Sequence, residues 1–132
     1  MKVKHGTVVL ADFGREAPSN LQISTNQLVE VVEYFRAEDI AILDRGVIRN
    51  EISFSVSRLH ATEQAAKIFI LDHAAQITGV KVLTIEIRGT GGIISRRFIE
   101  ESMVTPNASH IGCSSLFQYR ILGGKFLTIM PV

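Results

Sequence analysis

The chain has a single cysteine, no tryptophan and almost no net charge, a formal +1. The lone Cys113 excludes an internal disulfide and fits folding in a reducing cytosol. The 14 basic side chains are offset by 13 acidic ones, so no large positive field is available to hold phosphates. We therefore expect no specific nucleic acid binding.

Long apolar runs are also missing. No run approaches the roughly 18 apolar residues of a membrane span, and Met1 to Leu10 lacks the apolar core of a signal peptide. We expect no membrane insertion, with synthesis and folding in a cytoplasm. At 132 residues, with 46% hydrophobic and 20% charged residues, the sequence predicts one folded domain over residues 1–132.

A strand, a helix and a second strand are predicted in the middle of the chain. Residues 52–57 alternate apolar side chains with serines, and residues 83–88 alternate apolar with polar ones, as in strands with one buried face. Residues 61–78 contain no glycine or proline and stop before Gly79, which predicts an α-helix. We expect the two strands to form the centre of the sheet.

Further strands are predicted on both sides of this unit. β-type runs lie at 7–10, 93–104, 114–122 and 126–130, and turn compositions lie at 89–92, 105–107 and 123–124. Three valines favour a strand over Leu28 to Phe35, although its helical spacing leaves a helix open. The predicted class is α+β, mainly β: an antiparallel β-sandwich or half-barrel of about seven strands, with one flanking α-helix at about residues 61–78.

A polar excursion at residues 36–50 predicts an extended hairpin or loop. Two charged clusters flank the apolar segment Ile40 to Leu43, and a long polar excursion on a small protein is often an interaction element. A solvated hairpin tip is the alternative. The side chains proposed here for a subunit interface are Arg36, Glu38, Asp39, Asp44 and Arg45.

The predicted helix carries two apolar stripes. Ala66, Ile70, Ala74 and Ile77 cluster on one side, whereas Ile68, Leu71 and Ala75 cluster on nearly the opposite side. A helix on one sheet needs only one such stripe. We expect another subunit, or another layer of the domain, to cover Ile68, Leu71 and Ala75.

Residues that could carry chemistry form no specific motif. The glycines at 89–92 are not followed by a helix, as a phosphate loop would require, and no two histidines have the i, i+4 spacing of metal ligands on a helix. Glu100 and Glu101 are expected on opposite faces of a strand. Cys113 with His110 or His73 as base leaves a small enzyme open, but we expect no enzymatic activity, no metal and no cofactor.

With these elements placed, their order resembles the small β-rich proteins of bacteriophage tails, of the tail-tube and baseplate-tube type. The similarity rests on segments from about residue 28 onward, among them Phe35 to Ile40, Asp44 to Gly46, Ile52 to Arg58, Leu71 to Ala75 and Tyr119 to Gly124. None of these segments is a catalytic signature. The resemblance is therefore one of pattern and order.

The resemblance implies a structural subunit: a tube, tube terminator or baseplate component of a phage tail or phage-like injection device. Such proteins pair a β-sandwich or half-barrel with one helix and assemble into six-fold rings, so the expected partners are copies of the chain and adjacent tail or baseplate proteins. The expected location is the virion tail, assembled in the cytoplasm of a bacterial host. A small cytosolic binding module that uses residues 36–50 is the alternative.

Overall fold

A computed structural model describes residues 1–13, 16–33 and 40–130, with side chains at all of these except 26–33 and 40–48. The strands, in chain order, are β1 (Lys2–His5), β2 (Val8–Ala11), β3 (Ser19–Glu33), β4 (Ile40–Leu59), β5 (Lys81–Gly89), β6 (Gly92–Ile111) and β7 (Ser114–Gly123). One helix, α1 (Glu63–Gln76), connects β4 to β5.

The seven strands form one antiparallel sheet in the order β2-β1-β5-β6-β7-β4-β3. The predicted class, mainly β with about seven strands and one helix, is confirmed. The expectation that the two strands flanking α1 form the centre is wrong, because β6 and β7 lie between β4 and β5. The long β6–β7 hairpin follows β5 in the chain and inserts into this gap, and α1 packs against it.

Strand β6 changes its partners at Ser102. Its first half pairs with β5 and its second half pairs with β7, so that Ser102 lies opposite both Lys81 and Gly123. A β-bulge precedes this point, because one residue of β5 between Lys81 and Leu83 faces two residues of β6, Glu100 and Glu101.

The bulge overturns the prediction that Glu100 and Glu101 point to opposite faces. Both side chains are exposed, and both line one shallow cavity of about 260 Å³ beside Lys125. Strict alternation fails because a bulge adds a residue to one strand and breaks the two-residue period.

The predicted turn at Thr105 to Asn107 is wrong, since these residues lie within β6. Pro106 is opposite Tyr119 of β7. Beyond Ser102 the other edge of β6 has no strand partner among the described residues. A proline that has no N–H is compatible with a strand where that N–H would face a free edge.

The predicted last strand at 126–130 is also wrong: among its residues only Leu127 pairs, in a single bridge to Phe98. The number of strands is still seven, because the structure contains β1, a strand that the sequence did not predict. Its Lys2 and Lys4 alternate with the fully buried Val3 and His5. A histidine in the buried phase of a four-residue strand gives only a weak apolar alternation.

The strand prediction for Leu28 to Phe35 is confirmed as far as Glu33, the end of β3; Tyr34 and Phe35 lie outside the described residues. The predicted helix is confirmed with shorter bounds. Thr62 caps it, because its Oγ1 accepts a hydrogen bond of 3.1 Å from the amide of Ala65. Gly79, just beyond the helix, has the positive φ of 90° that favours glycine.

One hydrophobic core joins the sheet to α1. Its members come from β1, β2, β4, β5, β6, β7 and the end of the helix, and the largest fully buried ones are Tyr119, Phe117, Leu10, Ile52, Ile77, Leu83, Ile99 and Ile121. The buried His5 donates from Nε2 to the carbonyl oxygen of Ser102 at 3.0 Å. Burial lowers the pKa of His5, so the ring is neutral and compatible with this core position.

Candidate assembly surfaces

The second apolar stripe of α1 is uncovered by any described part of the chain. Ile68 is 58% exposed and Leu71 is 72% exposed, and Ala75 is exposed as well. The other stripe packs inward, since Ala66 and Ile77 are fully buried. The structure therefore places Ile68, Leu71 and Ala75 where another protein could cover them, and their role at a subunit interface stays a prediction.

The outer strand β3 exposes apolar side chains, one of which, Ile23, lies on the same face of the sheet as the core. Ile23 is directly opposite Ile52 of β4, and side chains of directly paired residues share a face. Ile52 is fully buried, whereas Ile23 is 50% exposed and Leu21 is 42% exposed. Helix α1 packs on β6 and β7, so it does not cover this end of the sheet.

The four strands β6, β7, β4 and β3 end in two open edges. On one side, Met103 to Ile111 of β6 pairs only with β7 in the described part of the chain, and on the other side β3 pairs only with β4. Open edges carry unpaired backbone N–H and C=O groups that can accept a further strand. The resemblance implies sheet edges that join between subunits, but the sequence did not say which strands form them, because that depends on the order of strands in the sheet.

The β3–β4 hairpin extends past the rest of the sheet. β7 pairs with β4 only from Asn50 onward, whereas β3 and β4 stay paired out to Glu33 and Ile40. This two-stranded extension, residues 26–33 with 40–49, is called the arm below. Of the segment predicted as an extended hairpin or loop at 36–50, residues 40–50 lie in β4, one of the two strands of the arm, and 36–39 lie outside the described residues.

The charged residues predicted for this hairpin are only partly placed. Asp44 and Arg45 lie in β4 within the arm, but their side chains are outside the described set. Arg36, Glu38 and Asp39 lie outside the described residues. Their proposed interface contacts remain predictions.

A buried polar cluster lies between α1 and the sheet. Arg58 donates from Nη1 to the Tyr119 hydroxyl at 3.2 Å and from Nη2 to the Leu10 carbonyl oxygen at 2.7 Å. The Tyr119 hydroxyl is 2.6 Å from Nε2 of His73. Glu16 lies 3.5 Å from Nε of Arg58 and is the nearby counter-charge.

The electrostatics of this cluster fix its hydrogen bonding. Burial, with the adjacent Arg58 charge as a second cause, lowers the pKa of His73 to about 4. The neutral imidazole accepts the Tyr119 proton at Nε2, while the Tyr119 oxygen accepts from Arg58. Burial raises the pKa of Tyr119, so the phenol remains protonated and the chain of donors is complete.

Aromatic rings enclose the same cluster. The rings of Phe69 and His73 stack at 5.0 Å, and the Arg58 guanidinium lies 5.1 Å from the centre of the Phe69 ring. Arg58, Phe69 and His73 help to line a cleft of about 640 Å³. These contacts attach α1 to the sheet through polar and aromatic groups, in addition to its small apolar stripe.

The sequence predicted neither Arg58 nor Tyr119 as a partner of His73. A signal was present, because Arg58 continues the buried phase of Ile52, Phe54 and Val56 on β4. A charged residue in a buried phase needs a partner. Sequence alone could not say that α1 would supply it.

Cys113 is half-buried in the β6–β7 turn. Its carbonyl oxygen accepts from the His60 amide at 2.8 Å, and His110 lies 3.5 Å from Glu63. His73 is bonded to Tyr119. Among the described residues no hydrogen bond joins the Cys113 thiol to either histidine, and no group of three His, Cys, Asp or Glu side chains is placed to hold a metal ion.

The chain matches no protein-family model and no curated protein. Within the described ranges, no helix combines the length and the apolar character that crossing a membrane requires.

Proposed function

We propose that this protein is a structural subunit of a phage tail or phage-like injection device, a tube, tube terminator or baseplate component, which assembles with copies of itself into six-fold rings. The observation that carries the proposal is the pair of open edges on the four-stranded unit β6-β7-β4-β3. Two different edges on one subunit can form a head-to-tail contact, and such contacts close into a ring when the rotation permits.

In this assembly the β3 edge of one copy pairs with the Met103 to Ile111 edge of the next. The exposed Ile23 supports the direction of the contact, because it lies on the core face at an edge where that face is uncovered, and Leu21 is exposed nearby on the same strand. A strand added beside β3 buries them. Pro106 removes one backbone donor from the β6 edge, which favours a short and selective pairing over open-ended aggregation.

Two other surfaces are left for contacts around or between rings. The stripe Ile68, Leu71 and Ala75 faces away from the sheet, and the arm extends past it. We assign the stripe to a contact with another subunit and the arm to a contact with an adjacent ring or a neighbouring tail or baseplate protein. Such a particle is assembled in the cytoplasm of a bacterial host and ends in the virion tail.

The extended arm also favours a second candidate, a small binding module that holds a partner through the arm alone. Multi-angle light scattering over a concentration series separates the two. The tail subunit forms a discrete oligomer as concentration rises, whereas the binding module stays monomeric and loses its partner when the arm is shortened. A strictly monomeric chain at high concentration argues against the tail proposal.

A further inference from the structure

The segment that follows β7 pairs with β6 in the same register as β7 does. Gly123, the last residue of β7, is opposite Ser102. Four residues further along, Leu127 is opposite Phe98, which lies four residues before Ser102. Phe98 and Leu127 exchange both backbone hydrogen bonds, at 2.8 and 2.7 Å. Between these two pairs, Ile99 to Glu101 have no partner on this side, and Glu100 and Glu101 form the bulge.

Beyond this bridge, no described residue pairs with β6 on the side away from β5. We call this stretch, Ile93 to Arg97, the open edge of β6. Backbone groups of alternate residues face the same side of a strand, so the Arg96 N–H and C=O face this edge together with those of Phe98. The Arg96 carbonyl oxygen accepts from the side chain of Arg97 at 3.2 Å. A side chain thus holds the position that a neighbouring strand would use.

In the structure Thr128 and Ile129 form a bend, and Met130 lines a cavity together with Arg96 and Phe98. If the register of the Phe98–Leu127 bridge continues, Thr128, Ile129 and Met130 come opposite Arg97, Arg96 and Ser95. Ile129 is 80% exposed, and Met130 and the nearby Ile94 are exposed as well. A second irregularity of β6 lies at Ile94, because the consecutive residues Ile87 and Arg88 of β5 pair with Ser95 and Ile93. The regular part of this edge therefore ends at Ser95, opposite Met130.

We propose that the open edge of β6 receives Thr128 to Met130 of the same chain as a strand when copies assemble. In a single copy the two added backbone hydrogen bonds are offset by the conformational entropy of ordering three residues. A neighbouring copy that covers Ile94 and Ile129 adds apolar burial, which favours the paired form. The inference rests on the proposed function, because assembly supplies this burial.

Amide hydrogen exchange of the full-length protein, read at single-residue resolution by mass spectrometry, tests the proposal. The Arg96 amide should exchange at least tenfold more slowly in the assembled ring than in the same protein diluted to the monomer. The Arg97 amide, which faces β5, serves as the internal control and should not change. Rings in which the Arg96 amide exchanges as fast as in the monomer would overturn the inference and leave the proposed function standing.

Two further outcomes of the exchange experiment would also contradict the inference. Slow exchange of the Arg96 amide in monomer and ring alike contradicts the dependence on assembly. Absence of any ring rejects the proposed function and this inference together.

A matched pair of proline variants tests the register. Ile129→Pro removes the N–H that would face β6, whereas Met130→Pro removes one that would face away. We expect Ile129→Pro to abolish the protection of the Arg96 amide and to raise the concentration needed for assembly about tenfold, with Met130→Pro close to the parent. Equal behaviour of the two variants would refute the register.

Discussion

Ile23 of β3 lies directly opposite Ile52 of β4, yet Ile52 is fully buried and Ile23 is half exposed. The two side chains share a face, so the difference comes from position in the sheet and not from orientation. Ile52 lies between β3 and β7, whereas Ile23 lies on the outermost strand. Because the apolar face of the sheet is exposed at Ile23, a second copy of the chain can pack there and bury this side chain.

Replacing Ile23 with lysine tests this edge. Ile23→Lys places a charge where the proposed contact buries an apolar side chain, which is costly, and Ile23 is exposed enough for the fold to tolerate the change. We expect Ile23→Lys to keep its circular dichroism spectrum and to lose assembly in light scattering. Ser24→Lys, one position along and on the other face, is the control and should assemble. Loss of assembly in both variants would mean that added charge, and not the apolar face, is responsible.

The outward stripe of α1 is tested by Leu71→Asp. Burying a leucine side chain contributes about 1.5–3 kcal/mol, so a charge there should raise the concentration needed for assembly by roughly tenfold or more. The thermal unfolding midpoint should change little, because Leu71 is largely exposed. The exposed Ala61→Asp at the start of the helix adds the same charge outside the stripe and should assemble normally. Misfolding of Leu71→Asp would instead assign the stripe to the core.

The arm is tested by shortening it. Gln27 is opposite Ile48, so residues 28–47 can be replaced by Asn-Gly, a pair suited to a two-residue hairpin turn. We expect this variant to fold and to form single rings, but not stacks of rings, in electron micrographs. Stacks of normal length would show that the arm is not the contact between rings.

The buried cluster predicts a loss of stability in acid. The pKa of His73 falls from 6.5 to about 4 on folding, so between these values the unfolded chain binds a proton that the folded chain does not. Stability therefore falls as pH drops from about 6.5 to 4, by about 3 kcal/mol for this group. The lowered pKa of His5 adds to the same trend.

Urea unfolding at several pH values measures the effect. His73→Gln should flatten the dependence between pH 6.5 and 4 without removing the part due to His5. An unchanged slope in the variant would assign the acid sensitivity to other groups. Tyr119→Phe should cost about 1–3 kcal/mol at neutral pH, because it leaves the His73 nitrogen without its donor.

Local patterns predicted the helix and most strands, because those elements depend on periodicity within a few residues. The buried phase of Ile52, Phe54 and Val56, and the glycine with positive φ after α1, follow from chemistry that neighbouring residues carry. The bulge at Glu100 and Glu101 and the strand position of Pro106 do not, since both depend on which strand lies alongside β6.

The candidate surfaces divide in the same way. The second helical stripe was visible in the sequence, because its members recur at helical spacing. The strands that form the open edges were not, and neither was the cluster of Arg58, Tyr119 and His73, whose hydrogen bonds join residues 46 and 61 positions apart. Such contacts are set by the order of strands in the sheet, which no local pattern encodes.

The central claim is that copies of this chain close into rings through their sheet edges. Cryo-electron microscopy of the purified full-length protein at high concentration tests it most directly. The account predicts class averages of closed six-fold rings, with β3 of each copy beside Met103 to Ile111 of the next. Monomeric particles alone, or rings in which both of these edges remain open, would contradict it.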